Sequence, residues 1–92
     1  MFNQALAFNQ PLNNWDVSKV TLMNNMFFNT TVFNQPLDKW NTISIESMIS
    51  MFFNATGFNQ NIRFWNVPPG TLLTTMFFGA TAMIAILIHL DF

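Results

Sequence analysis

Ninety-two residues allow one small domain, near the size at which a single apolar core is marginal. Hydrophobic residues make up 51% of the chain and charged residues only 8%, at a net charge of −1, whereas roughly a quarter of an ordinary soluble domain is charged. Three cations, Lys19, Lys39 and Arg63, cannot supply the contacts that dominate phosphate affinity, which excludes nucleic acid as a partner. Cysteine is absent, so no disulfide framework, thiolate zinc site or redox compartment follows. The polar remainder is mostly Asn, Thr, Gln and Ser, a surface with little electrostatic protection against association. The chain reads as one that packs against other protein. No basic segment leads an apolar one after Met1, so the chain is expected either not to be exported alone or to be a piece of something longer.

Three words recur every 25 residues: Phe-Asn-Gln from Phe8, Phe33 and Phe58; Trp at Trp15, Trp40 and Trp65; Met-Phe-Phe from Met26, Met51 and Met76. Such a period marks a solenoid whose coils bury their apolar faces against one another. Residues 1–7 close a preceding coil, full coils span 8–32, 33–57 and 58–82, and the apolar residues 83–92 open a further one. The whole of 1–92 is thus one repeat domain of about three and a half coils.

Along each coil, Phe-Asn-Gln-Pro-Leu reads as an extended corner, because Pro11 and Pro36 push Gln10 and Gln35 out of the helical region. Asn9, Asn34 and Asn59 fall in one column, where their amides can satisfy backbone groups. Val17–Thr21 and Thr42–Glu46 are rich in β-branched residues and predict short parallel strands. In the third coil Pro68-Pro69-Gly70 should break that strand or leave it at an edge. Met23, Met26, Phe27 and Thr30 follow the i, i+3, i+4, i+7 spacing of a helical face. Met48, Met51, Phe52 and Ala55 repeat it, as do Leu73, Met76, Phe77 and Ala80. Asn29, Asn54 and Gly79 then supply residue types that tolerate the left-handed backbone ending a helix. The expected fold is α/β, with one short parallel strand and one short helix per coil. Phe8, Phe33 and Phe58, the three tryptophans, Met26, Met51 and Met76, and Phe27, Phe52 and Phe77 are the expected structural columns.

Phe-Asn-Gln-Pro-Leu, Trp-Asp-Val-Ser-Lys-Val-Thr and Met-x-x-Met-Phe over residues 8–27 resemble the BspA-like leucine-rich repeat surface proteins. The resemblance covers nearly the whole chain. It implies a right-handed, leucine-rich-repeat-like solenoid used for adhesion or protein contact, without catalysis. Related repeats occur on bacterial and protist surfaces and in large DNA viruses, so a virion or a cell surface is the expected location.

Candidate sites are few. His89 is the only histidine and aligns with Asn14, Lys39 and Phe64, an outward position with no nucleophile or carboxylate pair in view. Asp16, Asn41, Asn66 and Asp91 share a phase, but one acid per coil is too sparse for calcium, and a turn or strand-start role fits better. Asn29-Thr30-Thr31 and Asn54-Ala55-Thr56 match the glycosylation sequon, although backbone geometry at the helix end accounts for both asparagines. The run Ala82–Leu90 is too short to span a membrane and fits a capping strand, a subunit contact or, least well, an interfacial membrane segment. Met1, Phe2, Met83, Ile84, Ile86, Leu87 and Ile88 are therefore the expected interface residues. No cofactor, metal site or catalytic residue is assigned. The function expected is contact with protein, either copies of the chain or subunits of a larger assembly such as a large DNA virus particle. Cell-surface adhesion is the alternative, and sugar binding by Asn and Trp columns a further one.

Overall fold

The computed structural model describes residues 2–83, and in these the expected helix is replaced by turns. Residues 24–29 and 74–79 run as consecutive turns, and so do 49–54; among the described residues only 81–83 are helical. Asn25, Ser50 and Thr75 have φ of +58°, +56° and +52°, and four residues later Asn29, Asn54 and Gly79 have +60°, +57° and +74°. A left-handed residue in the second position of the segment ends any α-helix before its first bond closes. The chain uses its amides in alternation instead. Met26, Phe28 and Thr30 donate three residues back, to Met23, Asn25 and Phe27, whereas Met23, Asn25, Phe27 and Asn29 donate to Ser47, Ile49, Met51 and Phe53. The next segment repeats the pattern, with Met48, Ser50, Phe52 and Asn54 donating to Leu72, Thr74, Met76 and Phe78. Half of the amides that a helix would use locally are spent on a neighbour 24 residues away.

The strands are absent too. Val17–Thr21 and Thr42–Glu46 contain turns, and only the single parallel bridges Leu22–Ser47 and Ser47–Leu72 form among the described residues. Asp16 Oδ1 accepts from the Ser18 amide and hydroxyl, and Asn41 Oδ1 accepts from the Ile43 amide. These side-chain turns compete with extended backbone. Val20 and Ile45 then close back onto Val17 and Thr42, and in the third segment Pro68-Pro69 moves the closure one residue on, to Thr71 and Pro68. The α/β right-handed, leucine-rich-repeat-like solenoid with a strand and a helix per coil is therefore not the fold. The chain folds into a body of 28 × 28 × 20 Å with almost no regular secondary structure.

The 25-residue period survives in side chains and in bonds between segments. Phe27, Phe52 and Phe77 stack at 5.3 and 5.6 Å, and Phe8, Phe33 and Phe58 at 5.6 and 5.9 Å. The two sets interleave, with Phe27 4.3 Å from Phe33 and Phe52 4.3 Å from Phe58. Met23, Met26, Phe27, Met48, Met51, Phe52 and Ala55 are buried in this core. The helical-face spacing thus marks the residues that turn inward, although no helix carries them. Two turns of three-residue closure place side chains three and four apart on one side, as a helix does.

Candidate functional site

The segments 8–32, 33–57 and 58–82 lie as layers, and the bonds between them define two unlike faces. Trp40 and Trp65 stack at 6.1 Å, and each indole N–H reaches back one layer, to the Leu12 and Leu37 carbonyls at 2.9 Å. Trp15 keeps the same relation to Phe2 (5.9 Å) that Trp40 has to Phe27 and Trp65 to Phe52 (6.4 Å each). A second ladder runs through the corner. Asn9 Oδ1 accepts from the Asn34 amide and the Gln35 side chain, and Asn34 Oδ1 accepts from the Asn59 amide and the Gln60 side chain. The Asn-Gln pair is therefore a splice between layers.

Equivalent positions differ sharply in exposure along the stack. Trp40 is 3% exposed, but Trp15, on the N-terminal face, is 43% exposed. Ser47 is 4% exposed, whereas its equivalents Leu22 and Leu72, one on each face, are 64% and 55% exposed. Val20 is exposed and Ile45 buried; Leu73 is exposed and Met48 buried. On the N-terminal face Trp15, Val17, Val20, Leu22, Met23 and Met26 line an open cleft of about 190 Å³. The polar face atoms are unbalanced as well. The amides of Leu73, Thr75, Phe77 and Gly79 donate no backbone hydrogen bond among the described residues, and the carbonyls of Leu22 and Asn24 accept none.

Several expected site residues take other places. Phe2 is half-buried, stacked on Phe8 at 4.0 Å and on Phe27 at 5.8 Å, and Met83 is buried in the core. Met1, Ile84, Ile86, Leu87, Ile88, His89 and Asp91 lie outside the described residues. Asn29 and Asn54 both hold the left-handed backbone that explains them without sugar, and Asn29 Oδ1 is buried without a partner. Gly79 follows from Asn54, whose amide occupies the space a Cβ at that position would need. Asp16 is held below the ordinary carboxylate range, first by the Ser18 hydroxyl and then by the Ser18 amide. Its equivalent Asn66 precedes Pro68, which has no amide for a matching turn, and its carbonyl accepts from Thr42 Oγ1 instead. Among the described residues no three His, Asp or Glu side chains gather, and no helix is long and apolar enough to cross a membrane.

The sequence reading missed the exposed Leu22, Leu72, Leu73 and Phe78, whereas Phe64 is exposed at the position read as outward. For Leu22 and Leu72 the signal was a polar serine at the middle position of their column. Phe28, Phe53 and Phe78 form a further stack, at 4.6 and 5.0 Å, already spelled in the second Phe of each Met-Phe-Phe word.

Among the described residues the arrangement is a layered aromatic ladder with exposed apolar side chains at both ends of the stack. The chain belongs to the family described as Mycoplasma protein of unknown function, DUF285, whose profile matches residues 1–88. No curated protein and no solved structure matches it.

Proposed function

We propose that the chain is a non-catalytic structural module that acts by surface contact within a larger assembly, its end faces covered by protein. One observation carries this reading: positions buried in the middle layer are open on the faces, as Trp40 and Trp15 illustrate. Apolar faces on a charge-poor surface gain most from being covered. The resemblance of residues 8–27 to BspA-like surface repeats supports contact as the mode of action. A structural place in a large DNA virus particle is the favoured setting, with cell-surface adhesion as the alternative. A photo-crosslinking residue placed at Leu22 or at Leu72 in the native specimen tests it. Protein adducts at both positions, and few at the exposed control Asn61, are expected; equal yields at all three would sink the reading. Adducts to particle proteins favour the first setting, and adducts to host or matrix proteins the second.

A further inference from the structure

The two faces are complementary to each other, not to themselves. Among the described residues, Leu73, Thr75, Phe77 and Gly79 on the C-terminal face donate no backbone hydrogen bond, and the Leu22 and Asn24 carbonyls on the N-terminal face accept none. Within the chain, Met23 donates to Ser47 and Asn25 to Ile49, so Leu73 of one copy meets Leu22 of the next in the same register, and Thr75 meets Asn24. The remaining acceptors of that face, Met26 and Phe28, are already taken by the amides of Phe2 and Gln4, at 2.9 and 2.6 Å. Phe2 lies over Phe27 at 5.8 Å, as Phe27 lies over Phe52 at 5.3 Å. Residues 2–7 therefore occupy part of the seat that a further layer would fill, donating two inter-layer backbone bonds where the turn segment of a full layer donates four.

Resting on the reading that the end faces are covered, we propose that a second copy of this chain docks head to tail, its C-terminal face on the N-terminal face of the first, and that residues 2–7 are a competing cap. The incoming segment 71–80 displaces the cap and supplies Phe77 and Gly79 as donors in place of Phe2 and Gln4. It also places Leu72 over Leu22, repeating the Ser47–Leu72 bridge. Joined this way, unlike faces give an open series rather than a closed pair.

Sedimentation velocity on the purified full chain tests this with three variants, each checked for a native near-ultraviolet spectrum. Leu22→Lys blocks the N-terminal face and Leu72→Lys the C-terminal face, so each alone should stay monomeric, and their mixture should form a one-to-one dimer and nothing larger. Phe2→Asp loosens the cap and should tighten self-association by about tenfold, the worth of one or two backbone hydrogen bonds. Dimerisation of either lysine variant alone would overturn the polarity, and unchanged association in Phe2→Asp would overturn the cap. A wild-type and Phe2→Asp protein both monomeric at high concentration would overturn the proposal, while crosslinks from Leu22 and Leu72 to other proteins would leave the contact reading standing.

Discussion

The middle layer and the first layer carry nearly the same words, yet they live in different solvents. Trp40 is enclosed between neighbours and donates its indole N–H to Leu12, whereas Trp15 packs beside Phe2 and is 43% exposed. Asn34 bonds forwards and backwards, and among the described residues Asn59 is bound on the side of Asn34. Position in the stack, more than residue type, sets what each member of a column contributes. The comparison teaches that the unit of stability here is the joint between layers, since a layer holds few bonds of its own beyond three-residue turns.

The sharpest way to break that comparison is to remove equivalent indoles. Trp40→Ala should cost about 3–5 kcal/mol, through lost burial, lost stacking and the lost indole hydrogen bond to the Leu12 carbonyl, and Trp15→Ala about 1 kcal/mol. Urea denaturation followed by circular dichroism measures both, and equal costs would mean that layers do not depend on their neighbours. The amide ladder gives a smaller effect. Asn34→Ala removes an acceptor shared by the Asn59 amide and Gln60, so it should cost about 1–2 kcal/mol. Amide hydrogen exchange at Asn59 should speed up in that variant.

A gain is expected at the opposite end of the stack. Thr75 is a β-branched residue at φ +52°, where the first layer has Asn25 and the second Ser50. Thr75→Asn should stabilise by about 0.5–1 kcal/mol, because asparagine tolerates the left-handed region. A melting temperature raised by about 4 °C per kcal/mol or more would show it, and a fall would mean that the Ser50–Thr75 hydroxyl contact outweighs the strain.

The smallest effect is one of acidity. Asp16 has its folded pKa lowered below the ordinary 3.8 by Ser18. Its contribution is therefore present above 3.8 and is lost as pH falls through the folded value. Asp16→Asn, which copies Asn41 of the second layer, should keep the turn and flatten the stability profile between pH 4 and about 2. A profile that keeps its full slope would mean that Asp16 contributes none of the acid sensitivity.

Much of this was legible in the residues. The spacing of Phe, Trp and Met words named the members of each ladder, Asn29, Asn54 and Gly79 announced a left-handed backbone, and Asp16 and Asn41 read as turn or strand-start residues. The helix was misread because a three-and-four spacing is shared by a helical face and by two successive turns. Asn25, Ser50 and Thr75 carry no common signal for positive φ; only the first is a residue that favours it. The strands were misread because β-branched side chains report a half-buried surface as readily as an extended backbone. That the ends of the stack would need covering was legible, but not that Leu22 and Leu72 stand open there, since exposure belongs to a position in the stack, and Leu22 and Ser47 share a column with opposite fates.

The amino-acid order by itself determined which side chains would meet, since a fixed period brings identical rings and amides to identical places. Tertiary structure alone decided where the backbone amides go. An amide can close a turn within its own layer or reach a carbonyl 24 residues on, and the second choice becomes favourable only when a neighbouring layer stands at the right height with its aromatic rings already in contact. That condition is non-local, and it is why regular secondary structure gave way to layers of turns.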